Sequence, residues 1–308
     1  MTLRDLTLIG WLLLSAGLPI AACLLVIFRH GLSNWTTLAL LLFASFGAVY
    51  SFFAGAWSIY SYWSIVAVFV FVAWAIAIGV RRLREGTYGY PGPAASLFSG
   101  FMMAVAAYFF LLDATALGST RPPADTVKLI FPLENGIFAI AQGGSGPPQQ
   151  ARHLRSPAQA FALDITRINA AGLGRTSLSA SWQETWLMWE MPVFSPCSGE
   201  VVWARDGIID RMSIDRETPA GNVVAIQCEG VIVFLAHFRQ GSVRVSTGDT
   251  VSTGQSLGTI GTSGNTLGPH LHIHAEKPPL DGEFSQNDGV AMTFNGRFLW
   301  KPGLVIAD

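Results

Sequence analysis

The sequence predicts two parts, four transmembrane helices followed by an all-β domain. The first 112 residues contain long apolar stretches, whereas the rest is rich in glycine and in short β-type runs. The chain of 308 residues is long enough for about two domains. Its net charge of −1 gives no indication of a nucleic-acid partner, and we predict none.

Four apolar stretches without charged residues are long enough to cross a bilayer, which takes about 20 residues in a helix. Buried helices of a soluble domain normally carry a polar face, which these stretches lack. We therefore predict an integral membrane protein in contact with the lipid bilayer, with no protein partner identified for its helices. The four predicted spans cover about 6–28, 35–57, 63–80 and 94–112, all within a membrane segment of residues 1–112.

The positions of the arginines predict the orientation of these spans. Arg29 follows the first span and three arginines between positions 81 and 84 follow the third, whereas residues 55–62 contain no Lys or Arg. The positive-inside rule makes the arginine-bearing loops cytoplasmic. Small, polar and proline residues at 113–126 predict a tether. The β domain at 127–308 then lies on the extracytoplasmic side.

Two cysteines, Cys197 and Cys228, fall in this exported part of the chain. In an oxidising compartment they can form a disulfide, and the alternative is a pair of free buried thiols. Sequence spacing leaves this choice open, because it does not give the distance between them in space.

The region after the tether consists of short β-type runs separated by turn signals such as Ser246-Thr247-Gly248-Asp249. Strands this short and this closely spaced are typical of an all-β sandwich or barrel. One segment differs, because residues 142–157 are rich in Gly, Pro and Gln and predict a long loop that carries His153. The β-type runs are 127–131, 199–203, 222–226, 231–235, 242–245 and 256–260.

Three of the six histidines of the chain occur at a spacing of two, at positions 270, 272 and 274. Side chains alternate along a strand, so these imidazoles share one face. Such a row supplies nitrogen ligands and proton carriers to a metal site. The alternative is a polar strand face with solvated histidines.

Two further polar residues lie in apolar runs. Asp164 follows Phe161-Ala162-Leu163, where a lone carboxylate is costly unless it is paired or bound to a metal, and the alternative is a turn aspartate. His237 ends the run Phe234-Leu235-Ala236, and a single histidine there is more often a hydrogen-bonded core residue than a catalytic one.

Taken together, these residues occur in an order that resembles the LytM-type zinc metallopeptidases of peptidase family M23. The resemblance covers about residues 127–280 and implies a β domain of the barrel–sandwich hybrid type. Its most specific part is the His-Leu-His segment with the Gly-Pro before it. The motifs in order are Asp164, Ser195-Pro196-Cys197-Ser198-Gly199, Leu235-Ala236-His237, Gly248-Asp249, Gly254-Gln255, Gly264-Asn265-Thr266 and Gly268-Pro269-His270-Leu271-His272.

The resemblance implies a Zn²⁺ cofactor with Asp164 and His272 among its ligands. A hydrolytic zinc has three protein ligands and a water in the fourth position. His237 and His270 would flank that water, one as general base and the other as oxyanion stabiliser. His274 would line the pocket, and Gln159 and Asn222 are candidate polar supports.

One ligand departs from the family pattern H-x-G-x-D, because Ala160 stands where that pattern has histidine and Ala162 where it has glycine. The segment Gln159-Ala160-Phe161-Ala162-Leu163-Asp164 looks instead like a Q-x-Y-A-x-D branch of the family, in which the histidine lies upstream on a loop. We therefore predict His153 as the third ligand.

The function that this resemblance implies is a membrane-anchored zinc endopeptidase of the bacterial cytoplasmic membrane. Its substrate would be the peptide stems or cross-links of peptidoglycan, and its role would be cell wall remodelling. The alternative, favoured by Ala160, is a catalytically silent LytM-like module that binds cell wall or a partner and regulates another hydrolase.

Overall fold

The computed structural model describes residues 16–57, 61–86, 89, 91–153, 156–176, 183–280, 282 and 286–308. The chain forms two compact units. One contains the helices and ends at Leu117, and the other contains the strands at Gly118–Asp308 together with Ser61.

Within its described residues, the first unit contains four helices. The three longer ones, α2, α3 and α4, are long and apolar enough to cross a membrane, and α1 is a shorter apolar helix. Residues 6–15 of the first predicted span lie outside the described residues. Residues 113–118, predicted as part of the tether, continue α4 as helix. The bounds are α1 Leu18–Phe28, α2 Asn34–Ala54, α3 Ser64–Glu85 and α4 Pro93–Gly118.

Local hydrogen bonds define the ends of these helices. The Ser33 hydroxyl accepts a hydrogen bond from the Thr36 backbone N–H at 3.1 Å, which caps the start of α2. At the end of α3, Gly86 follows the last helical residue and has φ 64, the left-handed conformation that often terminates a helix. The guanidinium of Arg82 donates to the carbonyls of Val26, Ile27 and Arg29, which stabilises the last turn of α1. Arg29 and Arg82 therefore lie at the same end of the helical unit.

The second unit is built from short strands, most of them antiparallel. Among the described residues the main sheet has the order β13-β2-β3-β10-β7-β6-β5-β8, with β11 also beside β10. Strands β4 and β9 form a separate pair. The bounds are β1 Thr126–Leu129, β2 Gly136–Gln142, β3 Leu163–Ile168, β4 Pro192–Phe194, β5 Gly199–Arg205, β6 Asn222–Cys228, β7 Val231–Phe238, β8 Thr250–Val251, β9 Ser256–Thr259, β10 Leu271–Glu276, β11 Gly289–Phe294, β12 Arg297–Phe298 and β13 Leu304–Ala307.

The two faces of this sheet have different environments. On β10, Leu271, Ile273 and Ala275 pack into the main hydrophobic core. Alternation along a strand sends the intervening side chains to the opposite face, where His272 and His274 line a cleft. Apolar helices followed by an antiparallel β domain confirm the predicted fold class.

A disulfide joins Cys197 to Cys228. The two cysteines are 31 residues apart in sequence and their Cα atoms are 6.1 Å apart. The bond connects the residues before β5 to the end of β6, which are neighbouring strands. Of the two alternatives that the sequence left open, a disulfide or two free thiols, the structure has the disulfide. The bond stabilises this part of the sheet by restricting the unfolded chain.

Candidate metal centre

Three adjacent strands bring the candidate residues together. In β10, His272 lies opposite Asp164 of β3 on one side and opposite Ala236 of β7 on the other. His237 follows Ala236 directly, and His270 lies just before β10. Residues more than 100 positions apart in sequence thus become neighbours because β3, β10 and β7 are consecutive in the sheet.

The carboxylate of Asp164 is the meeting point of three imidazoles. Its Oδ1 lies 3.0 Å from Nδ1 of His272, 3.4 Å from Nε2 of His153 and 3.5 Å from Nε2 of His270. One ligand atom each from His153, Asp164 and His272 lie within 4.8 Å of one another, a grouping that could hold a metal ion. The structure therefore brings together all three residues for which we predicted metal binding.

His153 reaches this cluster from the predicted loop and not from a strand. It lies in a run of turns, and its backbone N–H donates to the carbonyl of Gln150 at 3.1 Å. Its Nδ1 is also 3.1 Å from the side-chain Oε1 of Gln150. Gln150 was missed by the sequence reasoning, because a glutamine in a polar loop has no spacing that marks it as a site residue.

His237 is placed by an irregularity in the sheet. The pairing of β6 with β7 shifts register between Asn222 and Val223, so that His237 is left unpaired between Ala236 and Phe238. Its φ is 67, the left-handed region that non-glycine residues rarely adopt. This bulge turns the imidazole toward the other histidines, with the His237 and His270 ring centroids 4.8 Å apart.

Backbone carbonyls determine which ring nitrogen of His237 and His270 carries the proton. The Nδ1–H of His237 donates to the carbonyl of Ser263 at 2.8 Å, and that of His270 donates to the carbonyl of Gly268 at 2.9 Å. A carbonyl oxygen only accepts, so in the neutral rings the lone pair is on Nε2. The Nε2 of each neutral ring can therefore accept a proton, and that of His270 lies 3.5 Å from Asp164 Oδ1.

His274 packs beside His272 and orients it. Its Nδ1 lies 3.0 Å from Nε2 of His272, and its ring stacks on Phe234 with centroids 4.7 Å apart and planes 6° from parallel. His272 consequently has its Nδ1 directed at Asp164 and its Nε2 at His274. The structure places His274 in the cleft wall, as predicted, in contact with one candidate ligand.

The two predicted polar supports have different positions. Asn222 is fully buried, and its amide donates to the carbonyls of Ile208 and Phe238 at 2.9 Å each. These bonds hold the bulge that carries His237. Gln159 lies in a short 3₁₀ turn and lines the cleft.

Burial and the Asp164 charge control the protonation of the cluster. Burial raises the pKa of Asp164, but His153 and His270 outweigh it and hold that pKa well below its usual range. Burial lowers the pKa values of His272 and, more strongly, of His237. Burial also lowers the pKa of His270, but the adjacent Asp164 more than offsets it, so the net shift is upward. Metal binding requires an ionised carboxylate and a ligand imidazole without a proton on its coordinating nitrogen, so the lowered pKa values of Asp164 and His272 favour it.

These groups open onto a cleft of about 350 Å³. Its walls include the exposed apolar side chains of Ile214 and Leu267 as well as Arg152 and Ser156. A cleft with apolar walls and a few convergent polar groups is typical of a ligand-binding site.

Gly221 is a position where a side chain would disturb this geometry. Its φ is +62, and a Cβ there would overlap the backbone carbonyl of Ser263, which holds Nδ1 of His237. We expect Gly221→Ala to lower the free energy of unfolding by roughly 3 kcal/mol, from left-handed strain plus overpacking. Gly230→Ala is the matched control, because its φ is +73 with open space around the Cβ, and it should cost about 1 kcal/mol. Thermal unfolding of both variants provides the comparison, and equal losses would contradict the role of the close approach to Ser263.

Comparison with known proteins finds a family model that matches part of the β domain. The model of peptidase family M23 matches residues 189–286, a range that contains His237, His270 and His272 but begins after His153 and Asp164. No curated protein matches the chain.

Several solved structures are similar to part of the chain. The solution structure of lysostaphin has 20% identity and a TM-score of 0.26, covering 41% of this chain and 40% of that one. A zinc-containing peptidase from Vibrio cholerae has 17% identity and a TM-score of 0.30, covering 55% and 39%. The SpoIIQ–SpoIIIAH pore-forming complex has 14% identity and a TM-score of 0.33, covering 58% and 94%. This chain thus spans well under two thirds of the first two structures. Within its β domain, residues 189–286 match the model of peptidase family M23.

Proposed function

We propose that this chain is a membrane-anchored zinc metalloendopeptidase that hydrolyses peptide bonds of peptidoglycan stems or cross-links. The observation that carries the proposal is the convergence of His153, Asp164 and His272 within one ligand sphere, beside His237 and His270. The match to peptidase family M23 supports a peptidase-type reaction. The choice of peptidoglycan as substrate follows from the motif resemblance described above.

The donor set fits zinc. Two imidazoles and one carboxylate are a ligand combination found in catalytic zinc sites, and they leave a fourth position open. The Nε2 of His153 and the Nδ1 of His272 both lie within 3.4 Å of Oδ1 of Asp164, so the three donor atoms are close enough together to share one ion. Zinc bound there would polarise a peptide carbonyl and lower the pKa of a coordinated water to about 7.

The chain's own groups would then move the protons. Nε2 of one of His237 and His270, in its neutral form, would accept the proton of the attacking water. The other ring, protonated on both nitrogens, would donate from Nε2–H to the developing oxyanion. Both rings are already oriented for this, because each Nδ1–H is held by a backbone carbonyl. The apolar cleft walls near Ile214 and Leu267 would exclude water around an extended peptide.

The proposed location is the bacterial cytoplasmic membrane, with the β domain on the extracytoplasmic side. Arg29 and Arg82 lie at one end of the helical unit, which favours a cytoplasmic position for that end. The Cys197–Cys228 disulfide fits an oxidising compartment for the β domain. An enzyme in this position would act on cell wall close to the membrane surface.

A silent binding module is the competing function. Its support is Ala160, which occupies the position where the family motif has histidine. It leaves unexplained why His153 lies close enough to Asp164 to supply the missing nitrogen. Metal content and turnover together separate the two functions.

Removal of His153 should abolish stable metal binding. The purified full-length chain should contain about one zinc per molecule, and His153→Ala should lose most of it, because two protein ligands rarely hold zinc stably. His30→Ala is the control, since His30 lies in the loop after α1, outside the β domain. Elemental analysis after dialysis measures the metal. An unchanged zinc content in His153→Ala would show that the third ligand is another residue.

Removal of either proton-transfer histidine should affect turnover but not metal. We expect His237→Ala and His270→Ala to keep about one zinc per chain and to reduce peptide hydrolysis about 10²- to 10⁴-fold, the usual contribution of a general acid or base. Release of peptides from isolated peptidoglycan and elemental analysis measure the two properties. Full turnover in both variants would refute the proton-transfer roles of His237 and His270. Loss of zinc from a variant would identify the replaced histidine as a metal ligand.

Fusion reporters test the membrane orientation. Alkaline phosphatase, which requires an oxidising compartment, should be active when fused after residue 120. A fusion after Gly86, directly behind the arginines that end α3, should be inactive. The reverse pattern would place the β domain in the cytoplasm and exclude cell wall as its substrate.

A further inference from the structure

The side chain of Gln150 connects the loop that carries His153 to the strand that carries Asp164. It is fully buried, with 0% exposure. Its Nε2 donates to the carbonyl of Ala162 at 2.5 Å and lies 3.4 Å from the carbonyl of Ala160. Its Oε1 faces Nδ1 of His153 at 3.1 Å. One side chain thus contacts both segments that supply the candidate ligands.

The bonds of Gln150 determine the tautomer of His153. The carbonyl of Ala162 only accepts, so the NH₂ end of the amide must face it and the oxygen end must face His153. An amide oxygen also only accepts, so His153 carries its proton on Nδ1. The lone pair of His153 is therefore on Nε2, the nitrogen that lies 3.4 Å from Asp164 Oδ1.

Gln150 also holds His153 in place, as strand pairing does for the candidate ligands Asp164 and His272. Asp164 and His272 are held by ladder hydrogen bonds between β3 and β10. His153 lies in a turn, where the bond from its backbone N–H goes to the carbonyl of Gln150. The backbone N–H of Gln150 in turn donates to the carbonyl of Gly146 at 3.1 Å. The same residue thus fixes both the backbone and the ring of His153.

We propose that Gln150 is a positioning residue that holds the ring of His153, in its Nδ1–H tautomer, with Nε2 directed at the metal position beside Asp164. This proposal rests on the metal site of the proposed function. A hydrogen bond from the distal nitrogen of a ligating histidine fixes the ring plane and strengthens the ligand nitrogen, and its loss typically lowers metal affinity 10- to 100-fold. Gln150 compensates in this way for a ligand carried on a loop.

Gln150→Met tests the proposal in the full-length chain in detergent, because methionine has a similar length and lacks both polar atoms. In the metal-free wild type, ¹⁵N NMR of labelled histidines should show His153 protonated on Nδ1. In Gln150→Met that ring should become a mixture of tautomers, and zinc affinity, measured by chelator competition, should fall about 10- to 100-fold. Gln227→Met is the matched control, because it removes a glutamine amide that also donates to backbone carbonyls but lies at β6, away from the cleft, and it should leave both readouts unchanged.

Two further variants separate positioning from general packing. In a His153→Ala background, Gln150→Met should cause no additional loss of zinc affinity, because its effect passes through His153. Gln150→Glu keeps an acceptor for Nδ1–H and should retain the wild-type tautomer even where Gln150→Met is too unstable to purify.

The outcomes distinguish this proposal from the proposed function. A wild-type chain that binds no zinc overturns the metal site itself, and this proposal with it. Normal zinc binding combined with an unchanged His153 tautomer and unchanged affinity in Gln150→Met overturns the role of Gln150 alone. An equal loss of affinity with and without His153 also overturns it, since the effect would then be general packing.

Discussion

The site depends on one buried carboxylate. Removing a charged group from water costs several kcal/mol unless it is paired or bound to a cation. Asp164 is only 9% exposed, and its Oδ1 lies within 3.5 Å of nitrogen atoms from three histidines. Those histidines come from a loop, from β10 and from the residue before β10. The carboxylate thus provides the reason for the loop and the start of β10 to converge on β3, and a bound metal cation would satisfy the same requirement.

Strand periodicity made part of this arrangement predictable from the sequence. The spacing of His272 and His274 placed both on one face of a strand, and both line the cleft. Asp164 stood out because it is a carboxylate in an apolar run, and such a group needs a partner. Periodicity did not predict that His272 pairs with Asp164 across β10 and β3, because strand order and register depend on packing across the whole sheet.

Other parts of the site break the local rules and for that reason escape sequence reasoning. Alternation along β7 places Val233 and Leu235 in the main core, and the same rule would bury His237 there. The bulge exchanges the faces of the sheet to which these two side chains point, so that Phe238 enters the core and His237 faces the site. The contact of Gln150 with His153 is equally hidden, because it depends on how an irregular loop folds back on β3. The motif resemblance, not periodicity, directed attention to His237 and His153.

The backbone of His237 bears on the choice between enzyme and silent module. A non-glycine residue with φ near +60 costs about 1–2 kcal/mol, and glycine or asparagine would lower this cost. His237 adopts φ 67 in the interior of the domain, only 6% exposed, and its Nδ1–H is held by Ser263. Strain that the surrounding structure maintains at such a position is typical of functional sites. A module that only binds cell wall has no use for an imidazole held there with Nε2 free, whereas proton transfer to or from a substrate requires one. The strained histidine therefore favours the enzymatic function over the silent one.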